Sequence, residues 1–381
     1  MKYKLEEIVD VTMGQSPKSM YYNTERKGYP FLQGNKTFGF KYPTFDTYTT
    51  VMTKSAKAGD VIMSVRAPVG DINITPIDMC LGRGVCSLRM KNGNQEFLFY
   101  MMKYYIPYLL KKESGTVFGS VNRNDINGLE VDIPEDVQTQ KKIARYLEMI
   151  DDKIELNNKI NENLEQQAQS HFNEIFIVNA DPNWPECALS DIGAIVAGGT
   201  PSKSKPEYYA NQGIAWITPK DLSIDKSKFV SHGENDISEL GFSKSSATKM
   251  PAGTVLFSSR APIGYIAIAQ NEITTNQGFK SVIPNEDIGT AYVYFLLKKL
   301  LPAIEKMASG STFKEISGAG MKSVLTVMPD ADTIHCFNTF CKPIFKEQEL
   351  LEAENRRLSA LRDTLLPKLM SGELDVSSLD I

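Results

Sequence analysis

The chain contains one sequence pattern twice, and this duplication constrains its fold more than any local feature. Residues 64–70, SVRAPVG, return as SSRAPIG at residues 258–264. A long repeat whose segments keep their order indicates a tandem duplication of one structural module. The sequence therefore predicts two similar modules that perform two similar tasks. The other matched segments are 5–9 with 189–193, 14–17 with 198–201, 83–85 with 277–279, and 114–118 with 309–313.

The two copies differ in an internal segment. The second copy is longer between its Gly-Gly-Thr-Pro turn and its Arg-Ala-Pro segment, and residues 33–57 share little with residues 217–250. A common frame with a divergent segment is typical of modules that perform one task on two different targets. We call residues 33–57 and 217–250 the divergent segments.

The composition is that of an ordinary globular protein, with 42% hydrophobic and 23% charged residues. A length of 381 residues predicts two or three domains. The sequence shows no apolar run long enough to cross a bilayer and no apolar signal-peptide region after Met1. The five cysteines lack C-x-x-C spacing and the three histidines lie far apart, so we expect neither zinc nor disulfides and a cytoplasmic location.

The net charge of −4 is unfavourable for nucleic-acid binding, but its distribution matters more. Residues 1–135 carry 17 Lys and Arg against 14 Asp and Glu, and residues 181–330 carry 14 against 15. Residues 136–180 and 331–381 carry most of the excess acid, with 5 against 8 and 6 against 9. A DNA-binding face can still be locally basic, because phosphate attraction acts over about 8–10 Å.

Each module reads as mixed α/β. In the first copy we predict strands at 61–65, 86–90 and 129–134, and a helix at 95–112 that Pro107 ends or kinks. In the second copy we predict a strand at 255–258 and a helix at 290–306.

Residues 136–180 and 331–381 differ from both modules, because their apolar residues recur at steps of three and four over more than three heptads. We predict two long helices that pack on each other as an antiparallel pair, the second starting near Pro343. Seam residues Asn161 and Asn355 are expected to fix the register. The predicted seams are Ile143, Leu147, Ile150, Ile154, Asn157, Asn161, Leu164 and Ala168, and Phe337, Cys341, Ile344, Gln348, Leu351, Asn355, Leu358, Arg362 and Leu365.

Catalytic motifs are missing from the sequence. It has no P-loop, no G-x-G-x-x-G after a strand, no Asn-Pro-Pro-aromatic run typical of amino-methyltransferases, no H-E-x-x-H and no G-x-S-x-G. The duplication repeats Arg66 as Arg260, together with the Gly-Ser/Thr-Pro turns. Such groups suit phosphates and base edges, so we predict a binding protein rather than an enzyme.

The chain resembles the specificity subunits of type I restriction–modification systems. The resemblance rests on the segments 198–202, 258–264, 151–161 and 361–374, the last being the most specific. It implies an α/β (α+β) fold with pseudo-two-fold symmetry: target-recognition domains at 1–135 and 181–330, separated by long antiparallel coiled-coil helices at 136–180 and 331–381.

The resemblance also implies a function. Each domain of such a subunit reads one half of a bipartite, asymmetric site in double-stranded DNA, and the helices set the spacer and dock two methyltransferase subunits. Those partners bring S-adenosylmethionine, and restriction subunits bring ATP and Mg. The specificity subunit itself is not catalytic and holds no cofactor.

Twelve residues are candidates for DNA contact. Arg66 and Arg260 suit phosphates, although each could instead anchor a carbonyl or carboxylate of its own module. Lys18 and Lys203 follow the tight turns, where backbone N–H groups and a lysine suit phosphate. Gln33, Gln277 and Thr312 could read base edges or cap strands. The remaining candidates are Lys36, Lys41 and Lys220 of the divergent segments, which could equally be solvated, with Arg83 and Lys280 of the repeated frame; Lys228 shares the position of the divergent lysines.

Two other functions remain open at this point. The chain could be a helical scaffold that links two protein-binding modules without DNA contact. It could also be a compact nuclease or methyltransferase whose site the motifs do not reveal.

Overall fold

The computed structural model describes residues 1–111, 119–260, 262–310 and 314–376, which form two compact units. Unit 1 comprises Met1–Leu156 with Asn355–Ile381, and unit 2 comprises Asn157–Glu354. Each unit therefore contains one module together with part of both long helices. The sequence predicted the helices as segments separate from the modules, whereas in the structure each helix contributes to the core of both units.

Unit 1 contains the following elements in chain order, the last of which continues into unit 2. They are β1 (Lys2–Lys4), α1 (Leu5–Ile8), β2 (Val9–Met13), a 3₁₀ turn (Ser19–Tyr21), β3 (Tyr22–Asn23), β4 (Tyr29–Leu32), β5 (Tyr48–Thr49), β6 (Ser55–Ala56), β7 (Val61–Ser64), β8 (Ile72–Ile74), β9 (Met79–Leu81), β10 (Val85–Met90), α2 (Gln95–Lys111), α3 (Arg123–Asn127), β11 (Glu130–Asp132) and α4 (Val137–Asn173).

The strands of unit 1 form three sheets. The order β2-β10-β7-β8 gives a four-stranded sheet with antiparallel neighbours, and β1 pairs with β11 to join the two ends of the module. The order β3-β5-β4-β9-β6 gives a second sheet, in which β4 and β9 run parallel with Phe31 opposite Cys80. Helix α2 buries apolar residues such as Phe97 and Leu98 in the same core as the strand residues Val61 and Leu88.

Unit 2 contains the remaining elements. They are a π-helical turn (Glu174–Val178), β12 (Glu186–Ala188), α5 (Leu189–Ile192), β13 (Gly193–Ala197), a 3₁₀ turn (Pro206–Tyr208), β14 (Tyr209–Ala210), β15 (Trp216–Ile217), α6 (Pro219–Ile224), β16 (Phe229–Val230), β17 (Asp236–Ile237), α7 (Glu239–Ser243), β18 (Val255–Ser259), β19 (Ile263–Ala269), β20 (Thr274–Thr275), β21 (Lys280–Pro284), α8 (Thr290–Met307), α9 (Gly318–Lys322), β22 (Leu325–Val327) and α10 (Ala331–Met370), which ends in unit 1.

The topology of unit 2 repeats that of unit 1. Its main sheet has the order β13-β21-β18-β19-β16, in which the first four strands correspond to β2-β10-β7-β8. The pair β12-β22 corresponds to β1-β11, and the parallel pair β15-β20 corresponds to β4-β9. The additional strand β16 and helices α6 and α7 lie in the longer stretch of the second copy. The duplication seen in the sequence is thus a duplication of topology.

Helices α4 and α10 are antiparallel within unit 2. Contacts run from Asn157–Glu354 through Asn161–Gln348 to His171–Phe340, so residue numbers rise along one helix as they fall along the other. All the predicted seam residues are buried or half-buried. The seam supplies Ile143 and Leu147 to the core of unit 1, and Phe337 and Cys341 to the core of unit 2.

Four prolines lie inside helices α2, α8 and α10. Helix α2 does not end at Pro107, and α10 begins at Ala331, well before Pro343, so both differ from the sequence prediction. Helix α8 contains Pro302 as predicted, and Pro367 lies near the end of α10. An interior proline loses one backbone hydrogen bond, but burial of the surrounding apolar residues offsets that loss. For α10 the offset comes from Ile334 and Phe337, which are 1% and 0% exposed.

Candidate nucleic-acid interface

Unit 2 carries a cleft of about 610 Å³ at the end of its parallel strand pair. The cleft combines cationic, amide, hydroxyl and aromatic side chains, the groups that contact phosphates and base edges. Its cations are Lys203, Lys220 and Arg260, and its amides and hydroxyls are Asn235, Asn276, Gln277, Thr200 and Thr218; Tyr209, Trp216, Pro219, Gly278, Asp221 and Glu234 complete it.

Arg260 follows β18 directly and lies in the cleft wall. Its Nη1 is 3.3 Å from Oε2 of Glu315, and the other carboxylate oxygen lies 3.8 Å from Nζ of Lys280. Burial lowers the pKa of Lys280 below its ordinary value of 10.5; Glu315 opposes this shift and Arg260 adds to it. The two cations therefore share one carboxylate at this side of the cleft.

Gln277 and Asn276 lie in the loop between β20 and β21. The Thr200 hydroxyl donates to Oε1 of Gln277, and the Asn276 side chain accepts from the backbone N–H of Gly278 at 2.8 Å. The backbone N–H of Asn276 donates to the carbonyl of Ile217 at 2.9 Å, which ties this loop to the end of β15. The loop thus has a fixed backbone and an exposed glutamine at its tip.

The glycine turn of each copy packs against the corresponding loop of its own unit. A Cβ on Gly198 would lie 2.0 Å from the carbonyl oxygen of Asn276, and a Cβ on Gly14 would lie 2.0 Å from that of Gly82. Only glycine fits such a close approach of two backbones. The turns that precede Lys18 and Lys203 therefore hold the loop in place, which accounts for their repetition without requiring a bound phosphate.

Unit 1 has the same backbone pattern in the region that corresponds to the cleft of unit 2, which we call the unit 1 edge. The backbone N–H of Arg83 donates to the Ser16 hydroxyl at 3.1 Å, that of Gly84 donates to Gln33 at 3.0 Å, and that of Val65 donates to Gly84 at 2.9 Å. Gln33, Arg66 and Arg83 are exposed and belong to segments joined by these bonds. Lys18 is also exposed, just beyond the glycine turn.

The chain matches the family model for the type I restriction modification DNA specificity domain twice, over residues 1–166 and 182–331. The chain belongs to this family. Each match covers one copy of the internal duplication together with the adjoining part of helix α4 or the start of helix α10.

Relatives and a solved structure agree with this membership. The MjaIX specificity subunit of Methanocaldococcus jannaschii is 36% identical over 193 residues, which is 48% of this chain and 44% of that protein. The HindI specificity subunit of Haemophilus influenzae is 26% identical over 84% of this chain and 88% of its own length. The S subunit of a type I restriction–modification system from M. genitalium has the same fold, with a TM-score of 0.57 at 18% identity over 97% of this chain and 95% of that one. The match to the M. jannaschii relative thus spans less than half of that protein.

Lys41 does not fit the predicted role in DNA contact. Its side chain is 3% exposed, and its Nζ lies 3.2 Å from Glu148 and 3.4 Å from Asp152 on helix α4. Lys228 is buried in the same way, with its ammonium group on Glu165 and on Oε1 of Gln348. Both lysines anchor their divergent segments to the long helices, so neither can reach a DNA backbone.

The remaining predicted residues have different surroundings. Lys203, Lys220, Arg260 and Gln277 meet in the cleft of unit 2, although Lys220 pairs with Glu234 at 2.6 Å. Lys280 is 9% exposed, behind Arg260, and is less available than predicted. Lys36 is highly exposed and lies 3.6 Å from Asp46, outside the bonds that join the unit 1 edge. Thr312 lies outside the described residues.

Trp216, Thr218, Asn235 and Asn276 are among the cleft residues that sequence reasoning missed. The one available signal was Trp216, since the chain has only two tryptophans and this one directly precedes the second divergent segment. Among the described residues, no group of three or more His, Cys, Asp or Glu side chains could hold a metal ion, and no helix is long and apolar enough to cross a membrane.

Proposed function

We propose that this chain is the non-catalytic DNA sequence-recognition subunit of a type I restriction–modification complex, in which each unit reads one half of a bipartite, asymmetric target. One observation carries the proposal: both units have the same backbone frame with an arginine at the same place, but different side chains at the exposed positions of that frame. Equal frames suit the uniform DNA backbone, and different side chains suit different half-sites.

The corresponding positions are defined by equivalent hydrogen bonds. Gly82 donates to Leu32 as Asn276 donates to Ile217, so Gln33 corresponds to Thr218 and Arg83 to Gln277. An arginine in the major groove favours guanine and a glutamine favours adenine. Arg66 and Arg260, common to both copies, are assigned to phosphate.

Membership of the family supports an assignment of the partners. We assign S-adenosylmethionine to two methyltransferase subunits, and ATP and Mg to restriction subunits, with no cofactor on this chain. Docking on the long helices is supported by their exposed apolar residues, since Met149 and Leu156 in unit 1 are 51% and 52% exposed. The helices of 37 and 40 residues are long enough for a spacer, because half-sites one turn apart lie about 34–36 Å from centre to centre.

A salt titration of duplex binding tests DNA contact, using the full chain in complex with its methyltransferase partner. We expect Arg66→Gln to weaken binding and to reduce the slope of log K against log salt by about one, and Arg260→Gln to weaken binding as well. Lys2→Gln and Lys306→Gln are matched controls, since both are exposed cations of the same units that lie neither on the long helices nor in the cleft. Binding that ignores salt and sequence would instead support the helical scaffold.

Exchange of residues 1–135 for the first module of another specificity subunit tests independent reading. We expect mapping of methylated bases to show one changed half-site and one unchanged half-site. A change in both halves contradicts separate reading by the two units. Methyl transfer by the isolated chain with S-adenosylmethionine contradicts the non-catalytic assignment.

A further inference from the structure

The two copies differ at one position beside the shared arginine. Arg66 forms an antiparallel backbone bridge with Ser120, and Arg260 forms the same bridge with Glu315. The next bond is also equivalent, since Val121 donates to Val65 at 2.9 Å and Ile316 donates to Ser259 at 3.1 Å. Ser120 and Glu315 are therefore structural counterparts, and unit 2 has a carboxylate where unit 1 has a hydroxyl.

Glu315 is held in place by its backbone. Its N–H donates to Ser309 at 2.9 Å, and the N–H of Ser309 donates back at 3.1 Å. Its side chain lies between the two cations of the cleft wall, with Oε2 near Arg260 and Oε1 near Lys280. The Glu315 carboxylate is thus paired with the Arg260 guanidinium, the group that we assign to phosphate by analogy with Arg66.

The Arg260–Glu315 ion pair can open, so that a phosphate replaces the carboxylate on Arg260. Both side chains are more than a third exposed, at 35% and 37%, so water screens the pair and it contributes little to stability. A DNA phosphate that enters the cleft competes for the same guanidinium, and its bidentate geometry matches that of a carboxylate.

We propose that Glu315 acts as an internal phosphate mimic, which neutralises Arg260 and Lys280 in the free chain and is displaced when DNA binds. The inference rests on the proposed function. It makes the sequence-independent attraction of DNA weaker in unit 2 than in unit 1. Since that attraction is common to all sequences, weakening it raises the share of binding that depends on bases. Glu315 is thus a specificity-determining residue rather than a base reader.

Reciprocal exchange of the two counterparts tests the proposal: Glu315→Gln in unit 2 and Ser120→Glu in unit 1, in the full chain with its methyltransferase partner. The probe is a mixed-sequence duplex about three helical turns long, titrated with salt. We expect Glu315→Gln to tighten binding by about 3–10-fold and to steepen the salt slope by about one, because no carboxylate then needs a counterion after DNA binds. Ser120→Glu should have the opposite effect.

Two controls make the result specific. Glu272→Gln removes an exposed carboxylate of unit 2 that pairs with Lys249 at 3.1 Å, and it should leave affinity nearly unchanged. In an Arg260→Gln background, Glu315→Gln should lose most of its effect. Thermal unfolding of each variant checks that the fold is intact.

The outcomes separate the inference from the proposed function. If the wild-type complex binds duplex with a salt dependence but Glu315→Gln leaves binding unchanged or weakens it, the phosphate mimic is wrong while DNA recognition stands. An equal gain from Glu272→Gln also overturns the inference, because the effect is then one of net charge. If the wild-type complex shows no salt-dependent DNA binding, the proposed function and the inference both fail.

Discussion

Asp151 of the first long helix accepts a hydrogen bond from Nη1 of Arg362 of the second long helix at 2.8 Å, with its carboxylate fully buried in unit 1. The same carboxylate accepts from the Tyr100 hydroxyl at 3.0 Å and lies 3.4 Å from Nζ of Lys103, both on α2. One acid thus joins three helices. Asp151 and Arg362 belong to two of the segments on which the family resemblance rests, and the structure brings them together.

Removal of the Asp151 charge is expected to destabilise unit 1 more than removal of its arginine partner. Asp151→Asn leaves the half-buried Arg362 and Lys103 without this buried carboxylate, at a cost of about 3 kcal/mol in the free energy of unfolding. Arg362→Met leaves Asp151 with Lys103 and Tyr100 and should cost less. Denaturant unfolding of the full chain measures both changes.

Asp363 provides the matched control. It lies 2.8 Å from Arg362 but is 64% exposed, so Asp363→Asn should change the unfolding transition little. A loss as large as that of Asp151→Asn would show that the buried carboxylate has no special role.

Unit 2 has a similar cluster around Glu165, and here the acid is also expected to matter more than the lysine. Glu165 binds both Lys228 and Lys298, the latter at 2.6 Å, and accepts from the Tyr294 hydroxyl at 3.2 Å. Glu165→Gln removes the carboxylate that Lys228 and Lys298 share, whereas Lys228→Met leaves Glu165 paired with Lys298. We expect the first variant to lose about 3 kcal/mol of unfolding free energy and the second clearly less. Equal losses would contradict this arrangement.

The stability of unit 2 should depend on acid pH through Glu165. Burial raises the pKa of this carboxyl, but Lys228 and Lys298 outweigh that effect and hold it below its ordinary value of 4.5. Because the folded pKa is lower than the unfolded one, the stabilisation is present above pH 4.5 and is lost as pH falls through the folded value. The difference in unfolding free energy between wild type and Glu165→Gln should therefore shrink as pH falls from 7 towards 3, as measured by denaturant unfolding across this range of about four pH units.

The sequence predicted the duplicated modules, the helix pair and its seam, because apolar periodicity and repeated segments are local signals. It did not predict the buried charges. Asp151 follows the seam residue Ile150 and reads as the edge of a solvated face, but helix α2 covers that flank. Lys41 and Lys228 read as exposed lysines of divergent segments, since nothing in their neighbours reveals the opposing acids Glu148 and Glu165. Such pairings depend on tertiary packing and lack a local sequence signature.

Lys41 and Arg66 should separate structural from DNA-binding cations within unit 1. Burial lowers the pKa of Lys41, but Tyr42, Glu148 and Asp152 outweigh it and hold the pKa above 10.5, so the lysine remains charged at neutral pH. Lys41→Gln removes a charge that anchors the divergent segment to helix α4. It should lower the unfolding free energy, at neutral pH, without changing the salt slope of duplex binding. Arg66 is exposed, and Arg66→Gln should reduce the salt slope of duplex binding without changing the unfolding free energy.

Both variants are measured with the same two assays, denaturant unfolding of the full chain and salt-titrated duplex binding with the proposed methyltransferase partner. The pattern decides the assignment because each cation is expected to move one measurement and leave the other unchanged. A reduced salt slope for Lys41→Gln with unchanged stability would place Lys41 on the DNA and contradict its burial against Glu148. A loss of stability for Arg66→Gln with an unchanged slope would make Arg66 a loop anchor, and the phosphate contact of unit 1 would then have to come from Lys18 or Arg83.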